Sequence, residues 1–349
     1  MTIRVVQWTT GAVARAAVRA ILAQPDLKLA GCYVWSASKA GKDVGELCNL
    51  PALGVTATND IEAILALKPD VVLYMPLVWN VDEMVRLLEG GINVISSANF
   101  ITGHSYGEKD RTRLDLAARR GGVSLYGSGI NPGMASILAL TAAAACREVQ
   151  RISVFEAADC TPYASAETWR DLGFGSPPDT PGLADKAKSR MLVFVDAVEM
   201  MAKSLKVQLD EVRFTPEFGV ATQDLSLGYM DIPRGTVCGL KGMWQGFIGG
   251  RPLIELQLLW RIGNAMSPDW PIEEGYTMEI IGVPNVRVRY ELEYPNDSND
   301  YVASTANPPV NAIRAVVAAR PGIVTADELP LITAGSVKAK LVGAEATHA

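Results

Sequence analysis

Residues 5–15 read VVQWTTGAVAR. The apolar run and the small-residue turn predict a first β-strand that bends sharply into a first helix. A dinucleotide-binding turn carries glycine at three positions: one for the tight bend, one for close approach to pyrophosphate, one for helix–strand packing. Here those positions hold Thr9, Gly11 and Ala14. Gly11 keeps the position that meets a ligand, and Ala14 is small enough for packing. Thr9 is the departure, although its hydroxyl and that of Thr10 are placed to donate to a phosphate at the helix N-terminus, beside the first-turn amides of Ala12 and Val13. On its own the turn is compatible with a dinucleotide site and with a plain strand-to-helix turn.

Its surroundings extend the reading. After the turn, AVARAAVRAILAQ places Val13, Ala16, Ala17, Ala20 and Ile21 on one helical face. The segments LKLAGCYVW, DVVLYMP, INVISS and VSLYG are near-continuous apolar strands separated by amphipathic helices. This alternation predicts a parallel sheet with right-handed crossovers. The second strand ends in SASKAGK, with Ser36, Ser38, Lys39 and Lys42 but no carboxylate. An NAD enzyme usually places Asp or Glu there, against the ribose 2′-hydroxyl. Hydroxyls and ammonium groups suit the 2′-phosphate of NADP, so NADP is expected over NAD.

From about residue 150 the pattern changes. VQRISVFEAAD reads as a strand, GLADKAKSRMLVFVDAVEMMAKSL as one long helix, and several strands with hairpin signals follow, two of them joined by GGRP and the last the alternating NVRVRYELEY. NPPVNAIRAVVAARPGI then predicts a helix that begins after its prolines and packs back on the first domain. The expected fold is α/β: a Rossmann-type doubly wound parallel sheet plus an inserted α+β mixed-sheet substrate domain. The predicted division is 1–150 with 305–349 for dinucleotide binding, and 151–304 for substrate and dimerisation.

The chain has 349 residues and a formal net charge of −6, with no block of Lys and Arg. Nucleic acid is therefore not an expected partner. The most apolar stretch, Met134 to Cys146, is shorter than the roughly 20 residues a bilayer needs, so no membrane partner is expected either. MTIRVVQW runs straight into a strand without the look of a secretory leader. Five scattered cysteines without a C-x-x-C pair fit reduced thiols and a cytoplasmic location. The two histidines, His104 and His348, do not form a ligand cluster, and no metal site is expected.

Open α/β sheets bind ligands at the carboxyl ends of their strands. Two loops there stand out. YMPLVW contributes Pro76, and SSANFITGHSYGE offers Ser96, Ser97, Asn99, Thr102, His104, Tyr106 and Glu108. GSGINPGM follows, aiming the Asn131 amide from a turn. In the second domain, FEAADCTPYASAETW carries Glu156, Asp159, Tyr163 and Glu167. Glu156 and Asp159 point to opposite faces if the strand continues, which leaves Asp159, at the strand end, as the candidate to meet a substrate amine. Trp169, Phe174, Trp244 and Trp260 are candidate pocket walls or core. No G-x-S-x-G elbow, P-loop or metalloprotease motif is present.

Together, VVQWTTGAVARAAVRAI, GKDVGEL, GSGINPGM and NPPVNAIRAVVAARPGI resemble the dihydrodipicolinate reductase-like oxidoreductases, and within them the branch of 2,4-diaminopentanoate dehydrogenase and the native amine dehydrogenases. The resemblance implies a Rossmann domain, an inserted substrate domain, a homodimer, and NAD(P)H-dependent reduction of an imine or carbonyl or the reverse oxidation of an amine. It also implies a glutamate on the loop after the fifth strand, where this chain has Asn99 or Phe100. The catalytic candidates are Asn99, His104, Asn131 and Asp159. The cofactor candidates are Thr9, Thr10, Gly11, Ala12, Val13, Ser36, Ser38, Lys39, Pro76, Ser97, Asn131 and, on the returning helix, Asn311. A small ketone, imine or amine is the expected partner. The alternatives are a ketone or semialdehyde reductase that works without ammonia, and a non-catalytic NADP-binding sensor.

Overall fold

The computed structural model describes residues 2–97, 100–294 and 302–336. Its first half alternates strands and helices: β1 (Ile3–Trp8), α1 (Ala12–Leu22), β2 (Leu27–Tyr33), the single turn α2 (Val44–Leu47), β3 (Ala57–Thr58), α3 (Ile61–Ala66), β4 (Val71–Tyr74), α4 (Val81–Glu89), β5 (Asn93–Ser97), α5 (Glu108–Gly121) and β6 (Ser124–Ser128). Next come α6 (Ala135–Ala143), β7 (Glu148–Asp159), α7 (Ala166–Asp171), α8 (Leu183–Arg190) and α9 (Val193–Ser204). The second half is strand-rich: β8 (Glu211–Ala221), β9 (Leu225–Ser226), β10 (Asp231–Ile232), β11 (Val237–Ile248), β12 (Arg251–Arg261), β13 (Met266–Ser267), β14 (Gly275–Val283) and β15 (Val286–Tyr290). Then α10 (Ala303–Val317) and β16 (Gly322–Val324) close the described chain.

The first sheet has the order β16-β6-β5-β4-β1-β2-β3 and is parallel throughout. It is the expected doubly wound sheet, with α1 and α10 packed on one face and α3, α4 and α5 on the other. Strand order reverses between β1 and β4, so the loops leaving those strands diverge and open a crevice at the carboxyl edge. The register makes three strands end level there, Trp8 facing Tyr33 on one side and Tyr74 on the other. Their rings pack together in the core on the α3–α5 face, with Trp8 and Tyr33 stacked at 3.8 Å.

The second sheet, β13-β8-β11-β12-β7-β14-β15, is mixed, because β12 and β7 run parallel while the other pairs are antiparallel. Gly249 and Gly250 both take positive φ in the two-residue turn between β11 and β12, as an I′-type hairpin requires. One face of this sheet packs on α6, α8 and α9, burying Ile152, Val154, Trp244 and Leu256.

Three local expectations change. The predicted long helix is two, α8 and α9, interrupted at Met191 and Leu192; Met191 is buried against β11 near Gly242. Helix α10 starts at Ala303 and contains Pro308 and Pro309, where the sequence predicted a start after them. The fixed φ of proline suits a helix, and the full burial of Ala306 carries the turn before them. Strand β15 stops at Tyr290, short of the alternating ELEY.

Helix α9 ties the two halves together. Asp196, fully buried, accepts the backbone N–H groups of Ile101, Thr102, Gly103 and Ser105 at 3.1, 3.0, 2.8 and 2.7 Å. At its other end Lys203 Nζ donates to Thr325 Oγ1 at 2.8 Å, just after β16. The helix thus lies across the carboxyl ends of β5 and β16. Gly127 of β6 lets the β5 loop approach, since a Cβ there would stand 1.5 Å from the Phe100 carbonyl oxygen.

Candidate active site

The turn after β1 solves the bend without its first glycine. Thr9 itself takes the left-handed conformation, φ +73°, held by its N–H to the Tyr33 carbonyl at 2.8 Å and its hydroxyl to the Met75 carbonyl at 3.2 Å. Gly11 caps α1 in an extended conformation, and no side chain caps the helix. The leading amides of α1 therefore lack intrahelical acceptors, and the helix dipole favours an anion there. A Cβ added at Gly11 would meet no atom within 4 Å, so the space in front of the turn is not filled by the protein itself.

Lys39 reaches over this turn, its Nζ donating to Thr10 Oγ1 at 3.1 Å. Ser36 and Ser38 hydroxyls lie 2.6 Å apart beside it, both exposed. Trp35, Leu77 and Val78 are exposed apolar side chains on the loops that leave β2 and β4, on either side of β1. Uncapped amides, a cation with two hydroxyls, and apolar loops are what pyrophosphate, a phosphorylated ribose and a base require. The residues present fit a dinucleotide. Pro76 and Ser97 are buried at the ends of β4 and β5, as expected for the part of the edge beyond the switch point. Asn311 sits elsewhere: its Oδ1 accepts from Gln24 Nε2 at 3.0 Å and from the Gly335 N–H at 3.1 Å. Gln24 lies past the C-terminal end of α1, about 20 Å from Gly11 at helical rise, and Asn311 leaves the cofactor set.

The end of β7 brings Glu156 against the turn that follows β6. Asn131 Nδ2 donates to Glu156 Oε2, and Trp260 Nε1 donates to Oε1 at 3.3 Å. Tyr276, directly opposite on β14, adds its hydroxyl. Burial raises the carboxyl above its ordinary range, and these three donors only partly offset that. Asn131 Oδ1 remains buried without a partner, an acceptor left for a bound molecule. Trp169 packs edge-on to Trp260 at 6.2 Å and leans on Phe174 and Tyr163, so an apolar aromatic wall adjoins the carboxyl. Trp244 pairs with Phe214 in the core instead.

The other candidates are placed differently. Asp159 Oδ1 accepts from the Thr161 N–H and hydroxyl, at 2.9 and 2.5 Å, a local turn at the end of β7. His104 Nδ1 lies 2.7 Å from Glu199 Oε1 on α9, and Thr102 Oγ1 holds the other oxygen. Burial raises Glu199, His104 opposing it. Glu108 is exposed and pairs with Arg111. Asn99 lies outside the described residues. Burial pushes the Cys32 and Cys238 thiols up, to about 12 and about 11, so neither is a ready nucleophile. Among the described residues no group of three or more His, Cys, Asp or Glu is placed to hold a metal ion, and no helix is long and apolar enough to cross a membrane.

Sequence reasoning preferred Asp159 to Glu156 because only the fold shows which strand face meets Asn131. It passed over Asp196 entirely, although an Asp inside the apolar stripe Val195–Val198 is a signal that something must satisfy it.

Residues 134–342 match the family model described as the 2,4-diaminopentanoate dehydrogenase C-terminal domain. An amine dehydrogenase of Streptomyces virginiae is 31% identical over 347 residues, covering 94% of this chain and 96% of its own length. The 2,4-diaminopentanoate dehydrogenase of Acetoanaerobium sticklandii is 27% identical over 257 residues, 72% of this chain and 70% of that one. Among solved structures, an amine dehydrogenase from Mycobacterium smegmatis superposes with a TM-score of 0.79 at 19% identity, covering 95% of this chain and 97% of that one, a likeness of fold.

Proposed function

This chain belongs to the 2,4-diaminopentanoate dehydrogenase and amine dehydrogenase family, and from that premise we propose an NADP-preferring enzyme that reduces a C=N or C=O carbon, or oxidises the matching amine, in the crevice between its two sheets. It is an NAD(P)-dependent oxidoreductase of this type. When bound, the nicotinamide supplies or accepts the hydride. The protein's part is to bind, orient and handle the proton. The α1 amides and Gly11 take the pyrophosphate, Thr9 and Thr10 flank it, and Ser36, Ser38 and Lys39 take the 2′-phosphate. Pro76 and Ser97 border the nicotinamide end, and Asn131 with the aromatic wall of Trp169 and Trp260 holds the substrate.

The observation that carries the NADP preference is Lys39 bridging the second-strand loop to Thr10 with no carboxylate between them. Calorimetric titration with NADPH and NADH tests it. Lys39→Glu exchanges an attraction for a repulsion of a doubly charged phosphate, about 3–4 kcal/mol at 4 Å in water before screening. At moderate salt NADPH affinity is expected to fall by about a hundredfold, with NADH little changed. Equal losses for both would remove Lys39 from phosphate recognition.

One observation favours a reductase that works on ketones without ammonia: no Asp or Glu occurs between Ser97 and Gly107. NADPH consumption by ketones with and without ammonium separates the two, and dependence on ammonium would rule out this second reading.

The domain division 1–150 with 305–349 against 151–304 is supported by β16 joining the first sheet after the second is complete. A homodimer is supported by the family resemblance and by the sheet face turned away from α8 and α9, where Met243, Gln257, Phe155 and Thr277 form one cross-strand row. Sedimentation velocity tests it; a single monomeric species would count against it. Five free cysteines support a reducing, cytoplasmic setting.

A further inference from the structure

Sequence resemblance implies an acid–base glutamate on the loop after β5, yet that loop has no carboxylate between Ser97 and Gly107. The other ionisable groups nearby are engaged. Glu108 faces solvent beside Arg111, His104 is held by Glu199, and Asp159 closes a local turn on Thr161. Glu156 differs from all of them. It is half-buried, its partners Asn131, Trp260 and Tyr276 are all uncharged, and it hydrogen-bonds to the turn that leaves β6 at the edge where the crevice opens.

We propose that Glu156, positioned by Asn131, is the acid–base residue of this enzyme, exchanging the proton at the reacting nitrogen or oxygen of the substrate. This role rests on the oxidoreductase reading given above. In the reductive direction the C=N or C=O bond gains a hydride at carbon, with both electrons drawn from reduced nicotinamide. The Glu156 O–H bond breaks and an N–H or O–H bond forms on the substrate. The carboxylate left behind regains its proton from solvent. In the oxidative direction the same carboxylate accepts a proton from the amine. A buried carboxyl with only neutral partners can change charge without breaking an ion pair, which suits it to both directions. Its titratable neighbours, Tyr276 on β14 and Cys160 just past β7, are both held protonated by burial. Asn131 Oδ1, still unpartnered, is available to accept the substrate N–H and so keep the reacting atom beside the carboxyl.

The test uses the full chain, wild type and the variants Glu156→Gln, Glu156→Asp and Asn131→Ala. Glutamine can keep the Trp260 and Tyr276 bonds, and the Asn131 amide can turn to offer it Oδ1. For Glu156→Gln, kcat is expected to drop about 10²–10⁴-fold with loss of one limb of the pH profile, while NADPH binding by calorimetry stays the same. Glu156→Asp should recover part of kcat. Asn131→Ala removes a donor to the carboxylate and should move the Glu156 limb to higher pH. A readout independent of turnover is the carboxyl ¹³C resonance of Glu156, assigned by its absence in Glu156→Gln: it should titrate above the ordinary glutamate range and move further up in Asn131→Ala. If Glu156→Gln fails to fold, the glutamate resonance is assigned by its absence in Glu156→Asp, and the Asn131→Ala shifts in resonance and pH limb decide. A wild type that binds NADPH and turns over, beside a Glu156→Gln with unchanged kcat and pH profile, would overturn this role alone. A wild type that binds neither nucleotide would overturn the oxidoreductase site and this role with it.

Discussion

Replacing Asp196 by asparagine is the sharpest perturbation of the link between the two halves. In the native chain Asp196 Oδ2 accepts from Ile101, Thr102 and Gly103, and Oδ1 accepts from Ser105. An asparagine that keeps its oxygen toward the first three must turn its NH₂ group toward the Ser105 N–H. One charge-assisted bond is then lost, about 1.5–3 kcal/mol. The other three lose their charge assistance, on the order of 0.5–1 kcal/mol each. Together the change is about 3–6 kcal/mol, because the site is fully buried and water does not replace the lost acceptor. The effect is local to the β5 loop, so amide hydrogen exchange is the suitable assay. The amides of Thr102, Gly103 and Ser105 should exchange about 10²–10⁴-fold faster, while those of β1 and β4 keep their protection. Protection at Thr102 to Ser105 within about threefold of wild type would refute the clamp.

Thr9→Gly relieves a β-branched residue at φ +73°, worth about 1–3 kcal/mol, but loses the Met75 hydrogen bond and adds chain entropy in the unfolded state. Its stability to urea should lie within about 1 kcal/mol of wild type; a loss above about 3 kcal/mol would mean that the strain reading is wrong. Gly11→Val should fold normally, since its φ of −69° and open surroundings admit a side chain, yet lose NADPH affinity by roughly a hundredfold or more; retained affinity would make the turn only a turn. Glu156 binds its proton more tightly in the fold than in the unfolded chain, so it lowers stability as pH rises from its ordinary value of 4.5 through the raised one. Glu156→Gln removes that dependence, so its stability relative to wild type should climb across this window and then level; parallel curves from pH 4.5 upward would contradict the assignment.

How much was legible follows from the range of each interaction. Strand and helix periods are local, and a near-continuous apolar strand such as Val71–Tyr74 announces burial on both faces, so the parallel sheet could be read directly. That Ser36, Ser38 and Lys39 lie beside the Gly11 turn was legible for the same reason: a turn and the end of the next strand are neighbours in any doubly wound sheet. Helix breaks were less legible. Met191 interrupts an amphipathic run only because it is buried at β11, more than 50 residues away in sequence.

The chemistry of the substrate side required tertiary structure. Glu156 and Asn131 are 25 residues apart and on different layers, and nothing in either segment names the other. Whether Glu156 or Asp159 met Asn131 depended on which face of β7 the turn after β6 lay against. Asp196 and the amides it holds are more than 90 residues apart. By itself the sequence determined the fold class and the place of the β1–α1 turn within it, because short-range periodicity and backbone geometry write those. The tertiary structure alone decided which carboxyl meets Asn131 and which one holds the loop after β5, because burial and pairing belong to the packed chain.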